Sequence, residues 1–360
     1  MGFVYDITSS SDGEPYWREG IAYEFSLEEV EAIEAATEEL HGMCLETVGS
    51  IVESGDYPEQ FNFSDEVKFL IEASWKAKEV HIYGRFDFMY ESPQNIKMYE
   101  YNADTPTSLL EASVAQYEWL KEVKPEADQF NSIHEKLVAR WASCAGEEAD
   151  TMYFLASKLA GYEDWGNLQY MADTALQGGW NIHIEEIEQL GFDPDKREYY
   201  DRNQETIYNA FKLYPLEWLV DDKFGQYLTD RKIRWFEPEW KMLLSNKAVL
   251  PVLWQKYPNH PNLLPSFFEE FNGCIKKPLL GREGSNVFRG ERLIEGSELV
   301  PEYDTHYMYQ EYCPLPEIDG FYPVVGSWVV GDQSAGMGIR EDLSMISGNG
   351  SHFVPHYFVD

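Results

Sequence analysis

Apolar positions along this chain switch between two periods, and the switches outline its elements. From residue 26 to about 53, Leu27, Val30, Ile33, Leu40, Cys44, Val48 and Ile51 keep near-helical spacing. Ser26 with Glu29 forms a capping box at its start, and Gly55, Asp56 and Pro58 break the pattern. A second helix is predicted over about 64 to 78, with Val67, Leu70, Ile71 and Trp75 as its apolar face. Two short strands follow, around Arg85-Phe86-Asp87 and Glu100-Tyr101-Asn102, separated by the turn-like Ser92-Pro93-Gln94-Asn95. Leu109 to Leu120 reads as a helix that Thr107 could cap. Further helical patterns span about 129 to 143 and 164 to 177, and another opens near Glu205. Thr151 to Ala156 reads as a buried strand and Ile182 to Ile184 as a short one. Late in the chain, Cys274 to Leu279, Tyr307 to Tyr312, and the pair Tyr322 to Val330 and Gln333 to Ile339 read as strands. This alternation predicts an α/β or α+β architecture. No repeat, low-complexity tract or long linker interrupts it, so we expect one enzyme-sized module with a smaller mobile lobe.

Charge changes this picture next. The chain has 360 residues, 64 Asp+Glu against 28 Lys+Arg, and a formal charge of -36. Such a chain repels nucleic-acid backbones and anionic membranes, so neither is an expected partner. The acidity suits a cationic substrate such as a polyamine, or simply a solubilising surface. Cys44, Cys144, Cys274 and Cys313 are widely spaced and form no CxxC. Buried thiols in a reducing compartment account for them, and a cytoplasmic setting is expected. Met1 to Asp6 carries no basic stretch leading into an apolar run, so no signal peptide is visible.

The candidate chemistry starts at the hairpin. Side chains at i and i+2 share a face, so Arg85 pairs with Asp87, and Glu100 with Asn102. A hairpin centred between Pro93 and Gln94 sets Asp87 opposite Glu100 and Arg85 opposite Asn102. Opposed carboxylates repel, so positive charge should gather there. Two carboxylates and an amide make an all-oxygen set suited to Mg2+. A solvent-facing hairpin with incidental charges fits the same pattern.

Lys277 ends an apolar strand just before Gly281-Arg282-Glu283-Gly284-Ser285-Asn286. Its ammonium, with the loop's backbone N–H groups, could hold phosphate oxygens, although no Walker A spacing is present. A surface loop after an edge strand reads equally well. Lys247, before another apolar run, is a weaker second candidate. Arg340 arrives at a turn beside Glu341 and Asp342, either for function or for an ordinary salt bridge. His352 and His356 have helical spacing, but Pro355 intervenes and no HExxH exists, so zinc is not expected there. No GxSxG is present, and no Cys–His pair near the start suggests a plain amidase.

Together these stretches resemble the synthetase domain of the glutathionylspermidine synthase family. Tyr99 to Ala112 (YEYNADTPTSLLEA) carries the likeness most specifically. Arg85-Phe86-Asp87, Lys277 to Asn286 and Gly348 to His356 support it. The resemblance implies an ATP-grasp fold with rearranged connectivity and a mobile lid. It implies an ATP-dependent carboxylate–amine ligase working through an acyl phosphate, with a nucleotide-binding lobe at roughly 240–315. Asp87, Glu100 and Asn102 would hold two Mg2+ ions. Arg85 would contact the acid and the transferring phosphoryl group, and Arg340 would face the reaction centre. Lys247 and Lys277 would contact ATP, and Glu283, Gly284, Ser285 and Asn286 would cover its phosphates. Gln310, Glu311, Tyr312 and Cys313 would form the adenine-binding strand. Thr105 and Thr107 would meet a peptide-like acid, and Glu163 and Asp164 a polyamine-like amine. Bifunctional members carry an additional N-terminal amidase domain, which is not expected here. Glutathione and spermidine are the leading substrate pair. A non-catalytic ATP- or polyamine-binding protein is the alternative.

Overall fold

The computed structural model describes residues 15–18, 20–146, 150–303, 306–348 and 351–359. Met1 to Asp6, and Asn349-Gly350 of the late motif, lie outside the described residues.

The predicted capping box is formed. Ser26 N donates to Glu29 Oε2 at 2.8 Å, and Glu29 N donates to Ser26 Oγ at 3.3 Å. From this start the helix Leu27–Ser54 runs to Gly55, whose φ of +68° lets its N–H turn back to Ile51 O. The apolar face read from the sequence is the buried one, from Val30 through Ile33, Leu40, Cys44 and Val48 to Ile51. Burying each such side chain contributes about 1.5–3 kcal/mol.

That helix lies across an antiparallel sheet of five strands, ordered His352–Val354, Gln333–Asp342, Tyr322–Val330, Tyr83–Ser92 and Asn95–Asn102. Thr37 Oγ1 and Ser327 Oγ join helix to sheet at 2.7 Å. The hairpin register is the expected one at the site, with Asp87 opposite Glu100 and Arg85 opposite Asn102. It is reached by an unexpected route. Glu91 is an extra residue on one strand and Tyr99 on the other, and the two bulges cancel.

A second, parallel sheet is ordered Asn181–Glu186, Thr151–Ala156, Asn209–Leu213 and Arg234–Phe236. The helix Tyr162–Gln177 crosses between the first two chain segments of this sheet. A third sheet, built on Cys274–Pro278 paired with Tyr307–Glu311, carries the lysine-and-loop motif. No helix among the described residues is long and apolar enough to cross a membrane.

Two expectations fail. No helix opens near Glu205; a tight turn from Asp201 leads instead into the strand Asn209–Leu213. Asp201 takes the backbone N–H groups of Asn203 and Glu205, which holds that turn against helix formation. Thr107 does not cap the helix from Leu109. Asn167 Oδ1 does, accepting from Leu109 N at 2.8 Å. His352 and His356 sit on two extended strands either side of Pro355, so their spacing is not that of one helix face.

Candidate functional site

The three sheets converge on a cavity of about 910 Å³, well within the range for small-molecule sites. Of the residues predicted from sequence, Arg85, Asp87, Glu100, Asn102, Thr105, Thr107, Glu163, Asp164, Lys247, Lys277, Glu283, Gly284, Ser285, Tyr312, Cys313 and Arg340 line it. They come from separate stretches spanning more than half the chain.

The hairpin supplies the charged floor. Arg85 grips Asp87 with two N–H groups, Nε to Oδ1 at 2.6 Å and Nη2 to Oδ2 at 3.1 Å. Arg85 Nη1 also donates to Thr107 O at 2.7 Å. Arg340 Nη2 reaches Asp87 Oδ2 at 2.8 Å from the next strand but one. Burial alone would push the Asp87 carboxyl up, but Arg85 and Arg340 outweigh it and hold it below the ordinary range. Glu100 is likewise pushed up by burial and brought down further by Lys247, whose Nζ lies 3.1 Å from Oε2. Asn102 Nδ2 donates to Asp87 Oδ2 at 3.3 Å and Glu100 Oε1 at 3.2 Å. So the positive charge expected beside the opposed acids is present, as two arginines and a lysine. Two ionised carboxylates and an amide oxygen also fit a hard divalent cation.

Lys277 reaches the same hairpin from the third sheet, with Nζ 3.5 Å from Tyr99 O. Its Nζ donates to Gln310 Oε1 at 2.7 Å. Burial lowers its pKa to about 8, because Glu100 only partly offsets desolvation and Lys247 opposes it. Beyond it, Glu283 and Gly284 adopt φ of +53° and +67°. At Gly284 a Cβ would stand 2.3 Å from Ile346 Cγ2. Arg282 ties this loop to the far wall, donating to Thr105 Oγ1 at 3.1 Å and Glu217 Oε1 at 3.2 Å.

Three predicted residues do not line the cavity. Asn286 is fully buried and bonds within its own loop, Nδ2 donating to Val300 O and Oδ1 accepting from Val300 N. Gln310 stands behind Lys277 and orients it. Glu311 points outward, and its N–H is used by Pro265 O. The Tyr312 N–H donates to Gly273 O, so that strand has no free N–H at these two positions.

The structure adds residues that sequence reasoning missed. Glu111 opens a wide turn, Glu111–Ala115, of a kind frequent at functional sites. It is fully buried, and Tyr16 donates to its Oε1 at 3.0 Å. Burial and then Glu163 raise its pKa to about 7. Glu163 is raised by burial and Asp164, and Asp164 by burial. An acid inside the apolar run Leu109-Leu110-Glu111-Ala112 was a local signal; Tyr16 had none. Asp104 is the other omission, fully buried against Lys212 and accepting from Leu216 N at 2.9 Å. It fixes the chain just after the hairpin to the parallel sheet.

The chain resembles several known proteins. A family model described as glutathionylspermidine synthase preATP-grasp matches residues 1–359. A Haemophilus influenzae protein named "Putative acid–amine ligase" is 48% identical over 375 residues, covering 100% of this chain and 95% of that protein. Trypanothione synthetase of Crithidia fasciculata is 29% identical over 88% of this chain and 53% of its own length. The bifunctional glutathionylspermidine synthetase/amidase of Escherichia coli is 26% identical over 86% of this chain and 55% of its own. The chain thus spans about half the length of these last two relatives. A glutathione synthetase-like effector from Globodera pallida shares the fold, with a TM-score of 0.60 at 12% identity, over 93% of this chain and 88% of that one. The mixed helix-and-sheet architecture is therefore ATP-grasp-like, and the chain belongs to the glutathionylspermidine synthase family of ATP-dependent acid–amine ligases.

Proposed function

We propose that this protein joins a glutathione-like peptide acid to a polyamine-like amine through an acyl phosphate. The observation that supports it is one cavity lined both by the cations Arg85, Lys247, Lys277 and Arg340 and by the acids Glu163 and Asp164, with the buried Glu111 feeling the charge of Glu163. Mg2+ would be held by the oxygens of Asp87, Glu100 and Asn102, two ions in all. With ATP it would supply the phosphoryl group that converts a poor leaving oxygen into a good one. Arg85 and Arg340 would stabilise charge spreading over that group, at a cost of about 3 kcal/mol for each contact removed. Lys247 and Lys277 would hold the nucleotide in a lobe at roughly 240–315. Glu283, Gly284 and Ser285 would close over the phosphates as a lid, keeping water from a hydrolysable intermediate.

Thr105 and Thr107 would position the acid. Glu163 and Asp164 would receive the cationic amine, with Glu111 behind them. Acids with raised pKa values suit acceptance of the proton that the amine must lose before attack. We place the protein in a reducing, cytoplasmic setting, where its four free cysteines would persist.

The test is incubation with ATP, Mg2+ and a panel of thiol peptides crossed with polyamines, reading ADP release and amide mass. ADP release coupled to one acid–amine pair is expected. ATP binding by calorimetry with no ADP release across the panel would favour a non-catalytic binder instead.

A further inference from the structure

We propose that the chain binds a divalent transition-metal ion between His183 Nε2, Glu185 Oε2 and Asp201 Oδ2, at the edge of the parallel sheet. None of the three lines the large cavity, so this site is separate from the one above. His183 and Glu185 stand two apart on the strand Asn181–Glu186 and so share a face. Asp201 comes to that face from the turn that replaced the expected helix.

The three donor atoms lie within 4.8 Å of one another. His183 Nε2 is 3.6 Å from Glu185 Oε2 and 3.9 Å from Asp201 Oδ2. Ligands on a tetrahedral ion at 2.0–2.2 Å stand about 3.3 Å apart. The two contacts to His183 exceed that spacing by up to about 0.6 Å, and the carboxylate pair, within 4.8 Å, would draw in around an ion, whereas the contacts to His183 are too long for direct hydrogen bonds.

Two of the donors are buried and without a hydrogen-bond partner, namely His183 Nε2 and Glu185 Oε2. Glu185 is 2% exposed. Arg202 answers only its Oε1. A buried carboxylate oxygen facing a second carboxylate is costly unless something positive lies between them. The remaining bonds already orient the ligands. Asp201 Oδ1 accepts from Asn203 N at 2.8 Å and Glu205 N at 2.9 Å, leaving Oδ2 only long contacts of 3.4 Å to Tyr153 Oη and Asn203 Nδ2. The Tyr153 ring packs on His183 at 4.9 Å. Such second contacts commonly hold metal ligands in place. One imidazole with two carboxylates suits zinc or manganese better than magnesium. A second grouping, His41, His81 and Asp332, is weaker. There His81 Nε2 already donates to Gly331 O at 2.7 Å, and Asp332 is 66% exposed.

The test is a zinc titration of the full chain, with excess magnesium present, by calorimetry and by metal analysis after dialysis. One zinc per chain is expected, with a rise in melting temperature. His183→Ala and Asp201→Asn should each weaken binding by about a hundredfold or more, while Asp87→Asn leaves it unchanged. His183 is partly exposed, so circular dichroism should show His183→Ala folded. Should it fail to fold, His183→Asn gives the same readout. No uptake by the wild-type chain would overturn the proposal. Equal uptake by the His183 variants would overturn it too, by placing the ion elsewhere.

Discussion

Asp87→Asn and Glu100→Gln each remove one negative charge from the same cavity wall, yet only the first should cost much stability. Asp87 is buried and bonded by two guanidinium groups, through three N–H contacts of 2.6, 3.1 and 2.8 Å. An amide in its place leaves Arg85 and Arg340 without a counter-charge. Breaking a buried pair from one side costs about 3–5 kcal/mol. The lower end applies, because Arg340 is about a fifth exposed and Arg85 keeps Thr107 O. Unfolding entropy of about 2.1 cal/mol/K per residue gives about 0.75 kcal/mol/K for a chain this long, hence a fall of about 4 °C in Tm. Glu100 has one lysine partner at 3.1 Å, on a side chain 26% exposed. Its loss should stay within about 1 kcal/mol and about 1 °C. Because the folded pKa of Asp87 is depressed, its stabilisation is present above the ordinary carboxylate range and is lost as pH falls through the folded value. The melting gap between the two variants should therefore narrow in acid. Turnover should fall about a hundredfold or more in both, from about 3 kcal/mol of lost charge stabilisation. Coupled ADP release across a magnesium series, with scanning calorimetry at several pH values, measures all of this. Wild-type turnover by Glu100→Gln, or equal melting losses near neutral pH, would refute the reasoning.

Lys277 loses its proton as pH rises through about 8, so ATP binding at pH 9 should take up about one proton and at pH 7 none. Calorimetry in buffers of different ionisation enthalpy reads this, and Lys277→Arg should abolish the uptake. The same depressed value makes Lys277 a destabilising charge below pH 8, relieved between there and the ordinary lysine range. Gly284→Ala puts a Cβ against Ile346 at a left-handed φ, so KM for ATP should rise several-fold while Tm moves by under about 1 °C; an unchanged KM would mean the loop does not close on nucleotide. Ser26→Ala removes half of the capping box and should cost about 1 kcal/mol with kcat untouched; chemical denaturation and steady-state kinetics separate the two.

Much of the frame was legible because its causes are local. Hydrophobic spacing and one cap set the helix Leu27–Ser54 to within a residue or two. Strand alternation put Arg85 and Asp87 on one face, while the pairing of Asp87 with Glu100 matched the simple hairpin only because two bulges cancel. The family stretch Tyr99 to Ala112 pointed to acid–amine ligation before any geometry was known. What stayed hidden depended on distance in sequence. Asn167, not the adjacent Thr107, caps the helix at Leu109, since a tertiary donor or acceptor can displace a neighbour. Asn286 and Gln310 look like ligand contacts but serve the loop and Lys277. The Asp201 turn overrode a helical pattern by supplying its own carboxylate to two backbone N–H groups. Sequence alone determined most of the elements and which charged residue types gather at the cavity, because periodicity and side-chain chemistry are properties of short segments. Only the folded chain decided which acids are forced together and how far their protonation shifts. Burial and charge–charge distance belong to no single segment, and they made Glu111 a near-neutral acid and Lys277 a weakly held proton.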